Sequence, residues 1–232
     1  MKKIIKILVV ILFIVICISI PFIVKGYNLY KKALDEVSIE EKVEQIQSKS
    51  NYTKLSELPQ IYIDAVLAVE DHRYYKHGAI DIISIGRAIV TNIKEKEFAE
   101  GGSTITQQLA KNTYFTQKKE MERKIAEVFM AYELERKLGK DEILELYLNT
   151  SYFGNGYYTV KEASKGYFKK EPKSMTAYEA TMLAGIPNAP SVYAPTKNLS
   201  LAKQRQKQVI AKMVKYKYLT QAEADKILKD ND

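Results

Sequence analysis

The sequence predicts a mainly α-helical protein with one transmembrane helix at its N-terminus. Two observations lead to this fold class. An apolar run at residues 7–24 is long enough to cross a bilayer as a helix. After it, apolar residues recur mostly at the three- and four-residue spacing of a helix face. The only expected exception is a short hairpin around Asn155, where the sequence FGNG marks a break.

The size and composition of the chain restrict its class. Its 232 residues (26.6 kDa) suffice for one good-sized domain with its own core. A net charge of +8 and a pI near 9.2 favour an anionic partner, and charge alone does not choose among phospholipid headgroups, a pyrophosphate and nucleic acid. The single cysteine, Cys17, excludes a disulfide framework within one chain, and two histidines, His72 and His77, exclude a histidine-rich metal site.

The apolar run predicts an uncleaved membrane anchor. A cleaved signal peptide is the competing interpretation, but no small-x-small cleavage site follows the run. Lys2, Lys3 and Lys6 precede it, which places the N-terminus in the cytoplasm and everything after Lys25 outside. We therefore divide the chain into a cytoplasmic tip and anchor (1–25), a stalk or membrane-proximal segment (26–57) and a working domain (58–232).

Helical patterns fill the working domain. Apolar positions between residues 61 and 69 lead to the acidic pair Glu70 and Asp71. Further helices are expected at residues 80–93, 119–138, 140–149, 176–186 and 199–216, with a short one from residue 221. The segment NAPSVYAP at residues 188–195 is predicted to be a loop that its prolines hold in place.

The stretch GGSTITQQLAKN at residues 101–112 predicts a helix start. Thr104 and Gln107 have the spacing of a capping box, so a helix should begin near Ile105. Ile105 and Leu109 face a core in this interpretation, and the opposite side carries polar groups: Gln107, Gln108 and Lys111. Amides, a cation and a positive helix N-terminus together suit a phosphate or a sugar diphosphate. An ordinary capped surface helix is the alternative.

Glu70 is the first candidate for catalysis. It ends an apolar helix beside Asp71, within reach of Arg73 and His77, and these surroundings suit a general base. The alternative is a solvated helix end with a local ion pair.

Glu127 is the second candidate. Arg123 lies four residues before it, so the simplest account is an exposed ion pair along a helix. The alternative account places Arg123 and Lys124 on a pyrophosphate, with Glu127 in the same cleft as a second carboxylate for chemistry at a sugar anomeric carbon.

Two further stretches allow two interpretations each. Tyrosines with Asn149 and glycines at residues 143–168 can form a stacking surface for sugars, although clustered aromatics more often belong to a core. The basic helix RQKQVIAKM at residues 205–213 reads mainly as a solvated face, with contact to anionic lipid or substrate as the alternative.

Together these segments resemble the peptidoglycan glycosyltransferases of glycosyltransferase family 51, over about residues 58–213. The family pattern G-G-S-T-I-T-Q-Q-x-x-K-N is matched in full by residues 101–112. The pattern R-K-x-x-E is matched by Arg123, Lys124 and Glu127. The pattern E-D-x-x-F-x-x-H-x-G-x-D is similar to Glu70, Asp71, Tyr74, His77, Ala79 and Asp81, and Y-x-N-x-x-Y-F-G-x-G to Tyr147, Asn149, Tyr152, Phe153, Gly154 and Gly156.

Two positions depart from the family pattern. Tyr74 replaces the usual phenylalanine and keeps an aromatic ring. Ala79 replaces the usual glycine and is expected to restrict the backbone of the loop that places His77 and Asp81. No transpeptidase domain follows in this sequence, so we expect a monofunctional member of the family.

The resemblance implies a lysozyme-like, mainly helical domain that polymerises lipid II by an inverting reaction. It implies Glu70 as the general base and Glu127 as a second essential carboxylate. The implied substrate-binding residues are Asp71, His77, Ser103, Thr106, Gln107, Gln108, Lys111, Asn112, Arg123, Lys124, Asn149 and Tyr152. Relatives often use Mg or Mn, but no pattern in this sequence specifies a metal site, and no organic cofactor is expected.

The implied partners are lipid II, the growing glycan-diphosphate-lipid, membrane lipids and cell-wall synthesis proteins, with no nucleic acid. The implied location is the bacterial cell membrane, with a single span and an extracytoplasmic catalytic domain. The alternatives are a glycan-cleaving lysozyme or lytic transglycosylase, and an inactive membrane-anchored scaffold. The cationic set at Lys111, Arg123 and Lys124 distinguishes the first alternative, since a hydrolase of uncharged linkages has no evident need for it. Both candidate carboxylates argue against the second.

Overall fold

The computed structural model describes residues 2–95, 101–116 and 120–229. Helices account for most of these residues, and the described part of the chain contains no strand, so the predicted mainly α class is confirmed. The helices are α1 (Lys2–Glu36), α2 (Ile39–Gln47), α3 (Gln60–Glu70), α4 (Ile82–Glu95), α5 (Ile105–Tyr114), α6 (Met121–Lys137), α7 (Lys140–Leu148), α8 (Val160–Phe168), α9 (Ala177–Gly185), α10 (Pro190–Tyr193), α11 (Leu199–Lys215) and α12 (Gln221–Lys229).

The first helix, α1, is longer than the predicted membrane span. Its residues 13–36 contain an apolar window long enough to cross a bilayer, and the described side chains of its first half are exposed. The helix continues without a break into the segment predicted to be a stalk. There Gly26 lies so close to α6 that an added Cβ would stand 2.6 Å from Ile125 Cγ2. Tyr27 and Tyr30 contact the ring of Phe129 on α6, at centroid distances of 5.3 and 5.8 Å.

The remainder of the predicted stalk also packs on the helical domain. Ser38 and Glu41 form a capping box that starts α2, whose Ile39 and Ile46 are buried. The backbone of Thr53 is tied to the side chain of Asn149, at the end of α7. Residues 26–57 therefore contribute to the core, and the predicted boundary at residue 58 stays a prediction.

One hydrophobic core joins the helices that carry the candidate residues. The apolar helix α3 packs against both α9 and α11, and α5 packs against α6 and α7. Large buried side chains fill the space between them: Tyr62, Ile105, Leu109, Met130 and Leu146. This packing holds the C-terminal end of α3, where Glu70 lies, beside α5.

The structure differs from the sequence predictions at three places. The turn around Asn155 is not a strand hairpin, because no strand flanks it; Gly154, Asn155 and Gly156 all have positive φ and form a tight turn. The predicted loop at residues 188–195 contains the short helix α10, which begins at Pro190, since proline suits the first position of a helix. Helix α8 was not predicted, although Thr159 caps it by accepting from the Glu162 N–H.

Candidate functional site

Glu70 lies at the last residue of α3, and its carboxylate is half-buried. The apolar residues of α3 fix its position, because they are almost all buried in the core. Gln108 Nε2 donates to Glu70 Oε2 at 2.8 Å. The Tyr147 hydroxyl in turn donates to Gln108 Oε1 at 3.3 Å, which fixes the orientation of that amide. The second carboxylate oxygen of Glu70 has no hydrogen bond within the described part of the chain.

Asp71 occupies the N-terminus of α5. Its Oδ2 accepts from the Ile105 N–H at 3.1 Å, and its Oδ1 lies 2.8 Å from His77 Nε2. The carboxylate of Asp71 accepts from one of the N–H groups where the sequence predicted a substrate anion, and the anion at this helix terminus stays a prediction. Asp71 and His77 thus hold α5 against the end of α3, and their predicted contact with substrate finds no support in this geometry.

The departure at Ala79 does not disturb this loop. Among the described residues, positive φ angles occur outside glycine only at Asn155, Lys169 and Lys217, so Ala79 adopts a conformation that any residue accepts. Its carbonyl accepts from Thr104 Oγ1 at 2.8 Å. The loop therefore joins the start of α5 without needing a glycine.

The capping box at the start of α5 forms as predicted. Gln107 N–H donates to Thr104 Oγ1, and the Gln107 side chain accepts from the Thr104 N–H at 3.0 Å. This engagement buries Gln107, so it does not face the cleft beside Gln108 as expected. Thr106 is likewise buried and donates to Glu135 at 2.6 Å. Both residues support the helix start and its link to α6.

Glu127 lies between two cations on α6. It is only 2% exposed, with Arg123 Nη1 at 2.8 Å and Lys124 Nζ at 2.9 Å from its two oxygens. The Arg123 Nη1 contact has ion-pair distance without hydrogen-bond alignment. Glu127 Oε1 and Arg123 Nε are each buried with no hydrogen-bond partner among the described residues. An unsatisfied buried guanidinium N–H is a donor that an anionic ligand can use.

Ser103 and Lys111 complete this cationic cluster. Lys124 Nζ donates to Ser103 Oγ at 2.7 Å. Burial lowers the pKa of Lys111, and Glu127 opposes that shift while Arg123 adds to it. The cluster of Ser103, Lys111, Arg123, Lys124 and Glu127 brings three positive side chains around one carboxylate, which leaves a net attraction for an anion.

Glu70 opens into a cleft of about 200 Å³. Gly101, Ser103 and Gln108 line one part of it, so the cleft adjoins the cationic cluster. The remaining lining includes Arg205 and Lys212, from the basic helix for which substrate contact was the alternative interpretation. It also includes residues that the sequence analysis did not assign to a site: His72, Arg87, Asn188 and Tyr216.

The basic helix α11 therefore faces the cleft as well as solvent. Burial lowers the pKa of Arg205, with the charge of Glu70 opposing the shift. His72 stacks on Tyr216 with ring centroids 3.8 Å apart. Arg205 and Lys212 lie seven residues apart, which puts them on one helix face. This spacing is the sequence signal from which their shared position could have been predicted.

Three further predicted residues lie outside both the cleft lining and the cationic cluster. Asn149 is buried, accepts from the Thr53 N–H at 2.9 Å and donates to the Thr53 carbonyl at 2.8 Å. Tyr152 is exposed and contacts the ring of Tyr158. Asn112 lines a separate groove together with Asn149 and Tyr158.

Asp71, His77 and Asp81 lie close enough together to suggest a metal site. Their donor atoms, however, are already engaged. Arg73 and Ser84 both donate to Asp81, which brings its pKa to about 2 although burial alone raises it. Burial lowers the pKa of His77, but the contacts of its two nitrogens with Asp71 and the Gly78 carbonyl raise it overall. These contacts favour the imidazolium, which cannot bind a metal, so this group does not fit a divalent cation.

Comparison with known proteins gives one family. The family model described as "Transglycosylase" matches residues 37–214. The chain is 41% identical over 184 residues to penicillin-binding protein 1A of Neisseria lactamica, covering 79% of this chain and 23% of that protein. It is 45% identical over 170 residues to penicillin-binding protein 1F of Bacillus subtilis, covering 73% of this chain and 24% of that protein.

A solved structure is also similar. The crystal structure of penicillin-binding protein 1A from Haemophilus influenzae matches 78% of this chain and 17% of that one, at 25% identity and a TM-score of 0.47. The chain spans about a quarter of the length of the curated relatives that it matches.

Proposed function

We propose a function for this chain from one premise: it belongs to the transglycosylase family, as the resemblance of its four motifs predicted. Membership also confirms the lysozyme-like, mainly helical class. The proposed activity is that of a peptidoglycan glycosyltransferase, which polymerises lipid II into β-1,4 glycan strands in cell-wall biogenesis and releases undecaprenyl diphosphate.

The observation that carries this proposal is the meeting of Glu70 with the cationic cluster. One helix, α5, brings them together, because Gln108 binds Glu70 and Lys111 belongs to the cluster. A base close to a cationic group fits a reaction in which a hydroxyl attacks a carbon that carries a diphosphate leaving group. An enzyme that cleaves uncharged glycosidic bonds has no corresponding use for the cations.

In the proposed reaction, Glu70 accepts the proton of the 4-hydroxyl of the acceptor GlcNAc. The oxygen forms a bond to the anomeric carbon of the donor strand, and the bond from that carbon to the diphosphate oxygen breaks. Attack from the face opposite the leaving group inverts the α-linkage to β. Lys111, Arg123 and Lys124 stabilise the negative charge that grows on the departing diphosphate.

Glu127 has a different part in this proposal. Its two oxygens lie against Arg123 and Lys124, so it holds these cations in place rather than taking a proton from substrate. Ser103 adds a further contact to Lys124. Arg87, Arg205 and Lys212 line the other part of the cleft and favour a second anionic group there.

The exposed apolar surfaces support a membrane location. Helix α1 fits a single-pass anchor. Helix α4 exposes a further set of large apolar side chains, Ile82, Ile83, Ile89, Val90 and Ile93. We propose that α4 lies against the outer leaflet of the cell membrane, where a lipid-linked substrate enters. We also propose that the N-terminus is cytoplasmic, because lysines precede the span. Membrane lipids and cell-wall synthesis proteins are the proposed partners.

The test is a polymerisation assay. The detergent-purified chain is incubated with labelled lipid II, and products are separated by size beside the Glu70→Gln variant. Mg or Mn is included because the resemblance implies a divalent cation, to which we assign no protein ligand. Polymer from the wild type alone is the expected result. Shortening of preformed strands without polymerisation would show a lytic enzyme, and inertness in both assays would favour a scaffold.

A further inference from the structure

One wall of the Glu70 cleft is a stacked pair of rings from two distant segments. His72 follows Glu70 by two residues, and Tyr216 is the first residue after α11. Their ring centroids lie 3.8 Å apart with 12° between the ring planes, and both residues line the cleft. The flat stack restricts the imidazole to one plane, so its nitrogens can meet partners only at the edge of the pair.

A second contact holds α11 beside this pair. Lys212 donates to the Val69 carbonyl, in the last turn of α3, at 3.3 Å. Because Lys212 and Tyr216 are four residues apart, they lie on the same side of the end of α11. This side of α11 therefore contacts the chain just before and just after Glu70, at Val69 and at His72. The two contacts together set the position of the stacked rings.

Arg87 of α4 contacts the imidazole at its edge. Arg87 Nη1 lies 3.4 Å from His72 Nε2, and Arg87 Nη2 donates to Ser84 Oγ at 3.3 Å. Since a guanidinium has donors only, His72 Nε2 is the acceptor of this contact. An imidazole that accepts at Nε2 is neutral and carries its proton on Nδ1.

The surroundings of His72 favour this neutral form. Burial lowers the pKa of His72, and the charge of Arg87 adds to that shift. The charges of Asp71 and Asp81 oppose the shift, and that of Arg73 supports it. The acceptor role that the geometry gives to Nε2 and the electrostatics of the site therefore agree.

We propose that His72 is a positioning residue for the reaction: its neutral imidazole, held flat against Tyr216, accepts from Arg87 and so aims that guanidinium into the cleft. The inference rests on the proposed function, in which Arg87 favours a second anionic group. In a reaction between two lipid-linked sugars, this group is the diphosphate of the acceptor. His72 occupies an open position of the pattern E-D-x-x-F, and Tyr216 lies outside all four patterns, so the motifs themselves assign neither residue a role.

The first test measures the tautomer of His72. The full chain is labelled with nitrogen-15 histidine in detergent, and its imidazole signals are recorded by NMR at a pH above the usual histidine pKa. The chain has two histidines, so His72→Gln assigns the signals. We expect His72 Nε2 to carry no proton, and we expect Arg87→Met to shift its signal. The matched control is Lys76→Met, an exposed lysine of the same loop outside the cleft lining, which should not shift it.

The second test uses polymerisation of lipid II. We expect His72→Ala to raise KM by about 2- to 10-fold with little change in kcat, which corresponds to the net value of one hydrogen bond. His72→Gln should keep a KM near that of wild type, because the glutamine side-chain oxygen can accept from Arg87 in place of Nε2. Tyr216→Ala should raise KM as His72→Ala does, whereas Tyr216→Phe keeps the stacked ring and should not.

Either test can overturn the inference. A proton on Nε2 of His72, or a signal that Arg87→Met leaves in place, contradicts the acceptor role. Equal KM values for His72→Ala, His72→Gln and wild type contradict the positioning role, as does a loss confined to kcat, provided that the melting temperatures agree. The NMR measurement on the wild-type chain needs no turnover. Its failure is therefore distinct from a wild-type chain that makes no polymer, which contradicts the proposed function.

Discussion

The two carboxylates at the centre of this molecule, Glu70 and Glu127, occupy opposite environments. Glu70 ends an apolar helix, is half-buried, and receives one neutral amide donor from Gln108. Glu127 lies within its helix, is 2% exposed, and has a cation against each oxygen. The first carboxylate keeps an oxygen open to a substrate proton, while the charge of the second is already balanced by its own chain.

The sequence alone offers both carboxylates as candidates for the chemistry, and the difference between their environments suggests a separate role for each. Both oxygens of Glu127 are engaged by cations of its own helix, which suits this carboxylate to holding those side chains in place. Glu70 has a neutral amide on one oxygen, and within the described residues its charge influences Lys111 and Arg205 without forming an ion pair. We therefore assign the proton transfer to Glu70 and the positioning of Arg123 and Lys124 to Glu127.

The largest expected effect is on the rate of the Glu70→Gln variant. Loss of a general base should lower the polymerisation rate by about 10²- to 10⁴-fold. The matched control is Asp64→Asn, which changes a carboxylate on the same helix away from the cleft lining and should keep the rate. Single-turnover measurements with labelled lipid II report the rate directly. Equal rates for Glu70→Gln and the control would remove Glu70 from the chemistry.

The next effect is on stability, in Glu127→Gln. Removing the buried charge leaves two cations facing each other, and we expect the unfolding free energy to fall by about 1–3 kcal/mol. Glu133→Gln on the same helix breaks a more exposed pair with Arg136 and should cost at most about 1 kcal/mol. Denaturant titration of both proteins makes the comparison. A smaller loss in Glu127→Gln than in Glu133→Gln would contradict the balanced-charge account of Glu127.

A smaller effect should follow from Tyr147→Phe. This variant keeps the buried ring but removes the hydroxyl that orients the amide of Gln108 against Glu70. We expect kcat to fall by about 2- to 10-fold, which corresponds to the net value of one hydrogen bond, with little change in KM. A change confined to KM would show that the hydroxyl acts on substrate binding instead of on the base.

The smallest effect concerns pH and the loop that holds α5 beside Glu70. The pKa of His77 is raised above its usual 6.5 in the folded chain, so its contribution to stability is complete below that value and is lost as pH rises through the folded-state pKa. Comparing the unfolding free energies of wild type and His77→Gln across this range should show a difference that shrinks as pH rises.

His72 serves as a control, because its contribution to stability should change with pH in the opposite direction. Burial, and then the charge of Arg87, lower the pKa of His72. Its contribution is therefore present above the usual pKa and is lost as pH falls. The difference between wild type and His72→Gln should shrink as pH falls, and the same trend in both variants would contradict these assignments.

Local sequence signals predicted the helices and much of the site. The spacing of Thr104 and Gln107 predicted the start of α5, and the capping box formed there. The same capping geometry folds the side chain of Gln107 back onto the helix start. The motif therefore predicts that Gln107 is buried, which contradicts the expectation that Gln107 faces substrate. Arg123, Lys124 and Glu127 share one helix face, so their proximity could be predicted from their spacing.

Features that depend on packing between distant segments could not be predicted in this way. No local pattern shows that Arg205 and Lys212 on α11 face the same cleft as Glu70, because α3 and α11 are far apart in sequence and meet through tertiary packing. The filling of the α5 terminus by Asp71 likewise joins residues that are 34 positions apart. The close approach of Gly26 to Ile125 requires that α1 pack on α6, which an apolar run alone does not indicate.

The most direct test of the account measures two quantities in Glu70→Gln and Glu127→Gln side by side: affinity for undecaprenyl diphosphate and rate of lipid II polymerisation. We predict that Glu70→Gln keeps the affinity of wild type and loses the rate, whereas Glu127→Gln loses affinity because Arg123 and Lys124 are no longer held. Polymerisation by Glu70→Gln at the wild-type rate, or an equal loss of affinity in both variants, would contradict the division of roles between the two carboxylates.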